Sequence, residues 1–469
     1  MIKVLWINAI DPDSEVETRY PNLGIGYLCA ALKQAYGNEA FSFKVVYAEI
    51  PRMLDSFQPD LVGISAVSQN YGRAMTYAAE ARRRKVPVLV GGVHISFLPE
   101  TLAPEMDVGC IGEGERTIVE LLGLYRETGG FPAARLASVA GIVFRDEDGM
   151  LRRTADRPPC LELDSLPPPA RELLGVTAHA SLFTSRGCPY RCSFCASARF
   201  WNKVRFFSAE RVVSEVEELA NRHGATFISF FDDLFVADKK RFFRIIELLE
   251  EKGLVGKVRF GCSVRANTVT DEIAAGLKRM GVVSVGMGLE SGNQRVLSCL
   301  KGGGITVEQN RAAIRLLRRH GVTPNASFVI GSPDETEEEI LDTFRFIRSV
   351  DLGLFEIYVL TPFPGTPVWE LARGRGLVSE GPEMDWSVLN VNFEVAPQRA
   401  VILSQTLGRD EIVRLYRRFR RLRLLQNLRK VWSHPMLPEL PGFLCGLFRE
   451  RSRRYLKRLF RREPRSLRR

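Results

Sequence analysis

Three cysteines lie close together near the middle of the chain, in the segment R-G-C-P-Y-R-C-S-F-C. They are Cys188, Cys192 and Cys195, in the spacing C-x-x-x-C-x-x-C. Three thiolates at this spacing can hold one iron–sulfur cube, whose full ligation by protein takes four cysteines. A zinc site needs further Cys or His ligands nearby, and the next histidine, His223, lies in another unit. The spacing therefore favours an iron–sulfur cluster with one open iron, and zinc and a chance grouping are the alternatives.

The other cysteines are scattered along the chain, and free cysteines are most often small buried residues. We expect burial without chemistry for all of them: Cys29, Cys110, Cys160, Cys262, Cys299 and Cys445.

The cysteine segment follows the first of six strand-like runs in the second half of the chain. Amphipathic runs with helical spacing separate these strands, which is typical of βα units. Eight such units need about 250 residues, so six units in a shorter stretch predict a partial (β/α)6 barrel of the TIM type. Active-site loops of such barrels follow the carboxyl ends of the strands. The predicted strands are residues 180–184, 227–231, 258–263, 284–289, 326–330 and 355–360.

The first 150 residues also alternate strand-like and helix-like runs, which predicts an N-terminal doubly wound parallel sheet of flavodoxin-like type. Residues 141–152 read as a hairpin, and residues 157–170, with three successive prolines, read as a linker. We therefore divide the chain into a first domain (1–150), a Pro-rich linker (151–178), a barrel (179–375) and a C-terminal extension (376–469) with basic helices.

The cysteine motif, with the aromatic Phe194 directly before its last cysteine, resembles that of the radical S-adenosylmethionine (SAM) superfamily. The resemblance implies a [4Fe–4S] cluster on Cys188, Cys192 and Cys195, whose unique iron chelates the amino and carboxylate groups of SAM. It also implies one-electron reductive cleavage of SAM to methionine and a 5′-deoxyadenosyl radical. The protein's own task is then to bind and orient the cofactors and to exclude water.

Residues at the ends of the other barrel strands resemble the SAM contacts of this superfamily. Asp232 and Asp233 would contact the methionine part of SAM, with a solvated acidic loop as the alternative. Arg265 would bind a carboxylate, with a surface arginine as the alternative. Glu290 and Ser291, at the end of the fourth strand, would bind a ribose hydroxyl. A partial match at the fifth strand, where Ser327 replaces the usual first glycine, would bring two more residues to the adenine: Gly331 and Pro333.

The first domain resembles the cobalamin-binding domain that precedes the barrel in one branch of the superfamily. The matching segments are P-N-L-G-I-G-Y-L, P-D-L-V-G-I-S, G-G-V-H and I-G-E-G-E. Glycines at a strand end allow close approach of a large flat ligand, and the implied contacts are Ser65, Gly91, Gly92 and Val93. Residues 1–90 contain no histidine, so the D-x-H-x-x-G cobalt-ligating motif is missing, and we expect His94 to be a loop or core residue. A flavodoxin-like domain without the cofactor is the alternative. A methylthiotransferase with a second cluster is disfavoured, because this domain has too few cysteines.

The net charge of +11 is concentrated at the C-terminus. Residues 409–469 carry 20 Lys and Arg against 5 Asp and Glu, so the rest of the chain carries about −4. Apolar residues of the first basic run recur at helical spacing, and we expect a helix docked on the barrel. For residues 448–469 we expect contact with an anionic membrane surface; a docked helix with a solvated face and nucleic acid are the alternatives, nucleic acid being the least favoured.

Length and composition restrict the class of protein further. A chain of 469 residues with 45% apolar and 26% charged residues predicts two to three globular domains and excludes disordered and collagen-like classes. No apolar run reaches the roughly 18–20 residues that span a bilayer, and the first residues read as a strand rather than a signal peptide. We expect a cytoplasmic protein, with peripheral contact at the inner membrane face through its tail.

These patterns together predict a radical SAM enzyme that uses cobalamin to methylate an unactivated carbon. Cyclisation, rearrangement or oxidation on the same scaffold is the alternative, and a non-catalytic binding module is a remote one. The expected partners are a small-molecule or lipid substrate and an electron donor such as flavodoxin or ferredoxin.

Overall fold

The computed structural model describes residues 1–12, 17–18, 21–381, 383–390, 393 and 397–431, with the backbone alone at 428–431. The basic segment 448–469, for which the sequence predicts membrane contact, lies outside the described residues. Residues Met1–Tyr416 form one compact unit that contains two large sheets and one two-stranded sheet.

The first sheet has the strand order β2-β1-β3-β4-β5-β6-β7. Strands β1 to β5 are parallel to one another, and β6 and β7 add an antiparallel hairpin at one edge of the sheet. The order 2-1-3-4-5 is that of flavodoxin-like folds, so the predicted doubly wound sheet and its hairpin are confirmed. The strands are β1 (Ile2–Ala9), β2 (Phe41–Val46), β3 (Leu61–Ala66), β4 (Val88–Gly91), β5 (Val108–Cys110), β6 (Ile142–Arg145) and β7 (Leu151–Arg153).

Helices cover both faces of this sheet, because its central strands are apolar on both sides. In β1, Val4 and Trp6 pack into one core, and Leu5 and Ile7 pack into the other. Side chains alternate between faces along a strand, so a continuous apolar run is what a doubly covered strand requires. The helices are α1 (Leu23–Tyr36), α2 (Ile50–Phe57), α3 (Tyr71–Arg83), α4 (Val93–Phe97), α5 (Glu115–Thr128) and α6 (Ala133–Leu136).

The second sheet has six parallel strands, and its edges are the first and last of them. Chain order and spatial order agree, so each strand lies beside its predecessor, as in a barrel that has not closed. The predicted partial barrel is confirmed, with strand limits that differ by a few residues at most. Its strands are β8 (His179–Leu182), β11 (Phe227–Phe230), β12 (Arg259–Val264), β13 (Val282–Glu290), β14 (Thr323–Ile330) and β15 (Phe355–Val359).

The barrel helices begin at well-defined caps. Thr306 and Thr336 each form a capping box with the residue three positions later, which satisfies two backbone donors at the start of the helix. The helices of this half are α7 (Ser197–Phe200), α8 (Ala209–Asn221), α9 (Lys239–Glu251), α10 (Asp271–Met280), α11 (Gln294–Lys301), α12 (Val307–Arg319), α13 (Glu337–Ser349) and α14 (Pro367–Gly374).

Several short elements of the barrel half were not predicted, among them a strand pair and a helix. Strands β9 (Ser185–Arg186) and β10 (Arg205–Phe206) form an antiparallel pair too short to give a periodic pattern. Helix α11 has only eight residues and follows β13 closely. Both elements border the cysteine segment. The predicted linker is irregular, with 3₁₀ turns at Leu163–Ser165 and Arg171–Leu173. Outside the linker, the described residues form further 3₁₀ turns at Ser68–Asn70, Pro99–Thr101, Ala266–Thr268 and Trp386–Leu389.

The first basic run forms helix α15 (Arg409–Val431), as its spacing predicts. Ile412 and Leu415 are buried, but Leu425, predicted on the same apolar face, is exposed. At about 3.6 residues per turn, Leu425 lies on the opposite side of the helix from Ile412. None of the helices in the described ranges is both long and apolar enough to cross a membrane.

Of the scattered cysteines, Cys29, Cys160 and Cys262 are buried as predicted. Cys110 is half-buried and Cys299 is exposed, so the prediction of burial is wrong for Cys299. Cys299 lies on helix α11, which the sequence did not place, and so its face could not be assigned.

Candidate functional site

The three motif cysteines lie on a loop that joins β9 to β10. The Nη1 of Arg199 donates to the carbonyls of Cys192 (3.2 Å) and Cys195 (2.7 Å) and so folds the loop onto itself. The amide of Ser193 donates to the carbonyl of Leu300 at 2.8 Å, which ties the loop to the end of α11. These bonds use backbone carbonyls and amides and leave the half-buried thiols available as ligands.

The three thiols lie among buried and charged groups. Burial raises the pKa of Cys195 to about 11, with the carboxylate of Asp233 and the other two cysteines adding to the shift. The Nη1 of Arg265 lies 3.6 Å from Cys192 Sγ. Across the described part of the chain, no three Cys, His, Asp or Glu side chains converge on one point that could hold a lone metal ion. Three thiols on one short loop are the donor set that a [4Fe–4S] cube with one open iron takes, because each thiolate binds a different iron.

The two predicted aspartates after β11 have different roles. Asp232 is buried, and its carboxylate accepts from the amide of Thr184 (2.6 Å), the hydroxyl of Thr184 and the hydroxyl of Ser185 (2.7 Å). It therefore holds the turn between β8 and β9 that leads into the cysteine loop, a role that the sequence did not predict. Asp233 accepts from the hydroxyl of Ser197 beside the cysteines and is exposed. The alternative of a solvated acidic loop is therefore wrong for Asp232, and the exposed Asp233 agrees with it.

Arg265 directly follows β12 and is only 6% exposed, so the alternative of a surface arginine is wrong. Its guanidinium lies over the ring of Tyr190, 3.9 Å from the ring centroid. Tyr190 is part of the cysteine loop, so this contact brings a buried cation beside the thiols. A buried guanidinium in this position suits a carboxylate ligand, and that role remains a prediction.

Glu290, the last residue of β13, is buried and has the left-handed backbone conformation, with φ of 60°. The Nζ of Lys301 lies 3.5 Å from its Oε1 and donates to the carbonyl of Gly288. Burial raises the pKa of Glu290, and the charges of Lys301 and Arg265 oppose this shift. The sequence missed Lys301 because it ends helix α11, which was not predicted.

Ser291, the other residue predicted at this strand end, is fully buried. Its hydroxyl lies 3.1 Å from the Thr343 hydroxyl and accepts from the amide of Asn293 at 3.1 Å. It therefore fastens the loop after β13 to helix α13, and Glu290 is the residue of this pair with a carboxylate facing Lys301.

The loop after β14 is held by a carboxylate that the sequence did not single out. Glu335 is fully buried, and its Oε2 accepts from the amides of Gly331 (2.7 Å) and Ser332 (3.0 Å). Burial raises the pKa of Glu335 to about 7. The carbonyl of Pro333 accepts from the amide of Gln405 at 2.8 Å. The available signal was a Glu four residues after Gly331, a spacing that lets a side chain reach back over a turn.

Phe194 is half-buried and packs against the apolar core formed by the first domain and the last barrel strands. This packing fixes the position of Phe194, the residue directly before Cys195. A contact between Phe194 and SAM remains a prediction.

In the first domain, polar side chains join the carboxyl ends of β1 and β3. The Nδ2 of Asn22 donates to Asn8 Oδ1 (3.0 Å) and to Ser65 Oγ (3.1 Å). The Oδ1 of Asn22 accepts from the Ile25 amide and so caps helix α1. The strand order reverses between β1 and β3, and open α/β sheets bind ligands in the crevice at such a point.

The glycines after β4 differ in what requires them. Gly92 has φ of 103°, and a Cβ there would lie 2.4 Å from the carbonyl oxygen of Ala66. The approach of strand β3 therefore requires this glycine, and a contact of Gly92 with cobalamin remains a prediction. A Cβ at Gly91 would meet only Cys110 Cβ at 3.8 Å, so space remains there. Val93 begins helix α4 directly afterwards.

His94 is a core residue, as predicted. It is fully buried, its ring stacks on Tyr71 with centroids 3.7 Å apart, and Trp386 meets its edge at 4.4 Å. Its ring nitrogens lie 3.1 Å from Ser68 Oγ and 3.0 Å from Thr101 Oγ1. Burial lowers the pKa of His94 to about 3, so the ring is neutral, and both its nitrogens are engaged. His94 therefore has no nitrogen available for a cobalt ion in this arrangement.

The sequence matches two family models that correspond to the two sheets. The B12 binding domain model matches residues 13–122, and the radical SAM superfamily model matches residues 182–347. A protein of Pyrococcus horikoshii named as an uncharacterized methyltransferase, PH0819, is 31% identical over 80% of this chain and 85% of its own length. The chain therefore belongs to the radical SAM superfamily, in the branch that carries a B12-binding domain.

Other relatives carry different activities. The anaerobic magnesium-protoporphyrin IX monomethyl ester cyclase of Cereibacter sphaeroides is 30% identical over 87% of this chain and 68% of its own. Among solved structures, the radical SAM methyltransferase TsrM of Kitasatospora setae has a TM-score of 0.64 at 21% identity, covering 81% of this chain and 78% of TsrM. The cobalamin-dependent enzyme OxsB has a TM-score of 0.59 at 22% identity, covering 74% and 52%. These two likenesses show the fold.

The protein is thus a radical SAM enzyme whose cofactors are a [4Fe–4S] cluster, SAM and cobalamin. When bound, the cluster and SAM supply a 5′-deoxyadenosyl radical, and cobalamin supplies a group carried on its cobalt. Cys188, Cys192 and Cys195 would hold the cluster; Asp233 and Arg265 lie beside them, and Glu290 lies near Arg265.

Proposed function

We propose that this protein transfers a methyl group from SAM, by way of cobalamin, to an unactivated carbon of its substrate. The observation that carries the proposal is the presence of the two cofactor-binding sheets in one compact unit. The 31% identical relative that is described as a methyltransferase supports it.

The side chains beside the cysteine loop are suited to hold SAM, which carries both charges. Arg265 offers a buried guanidinium to its carboxylate, and Asp233 offers a carboxylate to its amino group. Glu290 offers an acceptor to a ribose hydroxyl while Lys301 balances its charge. Ionic groups act strongly in a buried site, because water does not screen them there.

A second candidate, cyclisation without methyl transfer, is supported by the 30% identical cyclase, which aligns with 428 residues of this chain. Both reactions use the same radical, so the residues beside the cysteine loop suit both equally. What separates them is the use of the methyl group of SAM.

The experiment follows that methyl group. The chain is reconstituted anaerobically with iron, sulfide and hydroxocobalamin, desalted, and reduced in the presence of SAM labelled with deuterium in its methyl group. We expect about four irons per chain, a retained corrinoid spectrum and the label in the corrinoid fraction. Retained corrinoid with no label favours cyclisation, and iron without corrinoid overturns the cobalamin-dependent mechanism.

We also propose three partners. The reductive step consumes one electron, so a flavodoxin or ferredoxin donates it; the test is 5′-deoxyadenosine formation with reduced flavodoxin in place of dithionite. The substrate is a small molecule or a lipid.

The excess of positive charge in residues 409–469 supports contact with an anionic membrane from the cytoplasmic side. Co-sedimentation with anionic but not neutral liposomes, lost at high salt, tests this contact.

A further inference from the structure

The cysteine loop is closed at its base by two arginines. Arg186 and Arg205 are direct partners in the antiparallel pair β9–β10, so their side chains leave the same face of the pair. Both are only 6% exposed. Two like charges directly opposite each other destabilise a strand pair, and burial makes their repulsion stronger. The base of the loop therefore needs a negative charge from elsewhere.

That charge comes from the first domain, from the segment I-G-E-G-E between β5 and α5. Glu113 accepts from Arg186 Nη1 (3.1 Å) through Oε2 and from Arg205 Nη2 through Oε1. Glu115 accepts from Arg186 Nη2. The same carboxylate of Glu113 accepts from the amide of Cys160, and Arg205 Nη1 donates to the Cys160 carbonyl at 2.5 Å.

The connection from this ion network to the first cluster ligand is short and stiff. Gly187 separates Arg186 from Cys188 and has φ of 94°. A Cβ at Gly187 would lie 2.7 Å from the carbonyl oxygen of Lys203, so the two ends of the loop touch. The ring of Trp201, inside the loop, lies within 5.9 Å of both guanidinium groups.

We propose that Glu113, Glu115, Arg186 and Arg205 form an interdomain clamp that sets the position of the cluster loop against the cobalamin-binding domain. These four are positioning residues, since they act through the loop. The proposal rests on the cofactors of the proposed function but not on methyl transfer, and it applies equally to a cyclase.

The chain contains a matched control. Glu215 on α8 also bridges two arginines and is buried: it accepts from Arg171 Nη2 (3.0 Å) and Arg211 Nε (3.0 Å). Glu215 makes these bonds to the barrel half and its preceding linker. Glu113→Gln and Glu215→Gln therefore remove the same charge from the same kind of network. The first network bonds both ends of the cluster loop, and the second bonds the linker and helix α8.

The first test is amide hydrogen exchange of the chain without cofactors. In Glu113→Gln we expect exchange at residues 184–190 and at residues 111–116 to rise together by at least about tenfold, because both sides of the junction open as one unit. In Glu215→Gln we expect those segments to exchange as in the unchanged chain. Unchanged exchange in Glu113→Gln, or equal increases in the two variants, would overturn the proposal.

The second test reads the loaded enzyme by EPR spectroscopy. We expect Glu113→Gln to bind as much iron as the unchanged chain but to show a changed spin–spin interaction between the reduced cluster and cob(II)alamin, which Glu215→Gln leaves unchanged. An identical interaction in both variants contradicts the clamp. If Glu113→Gln does not fold, Arg205→Lys against Arg211→Lys makes the same comparison, since lysine keeps the charge and loses the fork.

The two proposals fail in different ways. If the exchange pattern appears but no label from the SAM methyl group reaches the corrinoid, the clamp is supported and methyl transfer is overturned. Labelled corrinoid with no change in exchange or spin–spin interaction retains methyl transfer and loses the clamp.

Discussion

The carboxyl ends of the two parallel sheets hold different kinds of side chain. Around the cysteine loop, the barrel collects charged side chains: the buried Arg265, the buried Glu290–Lys301 pair and the exposed Asp233. At the corresponding end of the first sheet, neutral amides and a hydroxyl meet instead, in the cluster of Asn8, Asn22 and Ser65.

The difference follows from what each end would hold. SAM is small and carries several charges, so its orientation depends on ionic contacts with fixed partners. A corrinoid is large and flat, so shape and backbone access matter more than charge. The barrel site is expected to respond strongly to single substitutions of charged residues, and the first domain more weakly.

The largest effect is expected at the cysteines. Cys192→Ala removes one of three ligands, so we expect loss of the cluster and of 5′-deoxyadenosine formation, measured by iron content and product analysis after anaerobic reconstitution. Cys299→Ala, at an exposed cysteine outside the motif, serves as the control and should retain both. Cleavage of SAM by Cys192→Ala would contradict the assignment of the cluster.

A smaller effect is expected at the buried ion pair. Lys301→Met leaves Glu290 without its counter-charge, and breaking such a pair typically costs about 3–5 kcal/mol. Because burial already raises the pKa of Glu290, we expect the pKa to rise further and SAM binding to weaken more at low pH than at high pH. Isothermal titration over a pH series measures this, with Lys301→Arg as a charge-preserving control. Equal weakening at every pH would show that Glu290 does not respond to Lys301.

The third prediction concerns the carboxylate below the β14 loop. The pKa of Glu335 is raised to about 7 in the folded chain, so the folded state holds its proton more tightly than the unfolded state does. Its contribution is fully present below the unfolded pKa of about 4.3 and is lost as pH rises to about 7, a change of up to about 3 kcal/mol.

Glu335→Gln should therefore flatten the fall in Tm between these two pH values. Thermal unfolding followed by circular dichroism measures it, and Glu338→Gln, at an exposed position on the following helix, is the control. A slope as steep as that of the unchanged chain would show that Glu335 titrates normally.

The smallest effect is expected in the first domain. Asn22→Ala removes a helix cap worth about 1 kcal/mol and also the bonds to Asn8 and Ser65. We expect a slightly lower Tm together with reduced cobalamin retention on desalting. Thr270→Ala removes an equivalent cap from barrel helix α10 and should lower Tm alone. Equal cobalamin retention in both variants would show that the cluster of Asn8, Asn22 and Ser65 is not part of the cobalamin site.

The sequence predicted the elements and the order of the site well, because both depend on local patterns. Alternation of apolar residues located the six barrel strands, and residues such as Arg265 and Glu290 fall at their carboxyl ends because a parallel sheet brings all such ends to one edge. The same local reading could not separate Asp232 from Asp233. Adjacent residues in a turn point in different directions, and only the bonds from Thr184 and Ser185 show which one is buried.

What the amino-acid sequence determined by itself is the pair of α/β sheets and the cysteine motif, because strand periodicity, prolines and cysteine spacing act over a few neighbouring residues. The tertiary structure alone decided that Lys301 balances Glu290 and that Glu113 joins Arg186 to Arg205. Glu113 and Arg186 are 73 residues apart in the chain, and Lys301 faces Glu290 across the turn from β13 into helix α11. Buried charges choose their partners by proximity in the folded chain, and no local pattern in the sequence records that proximity.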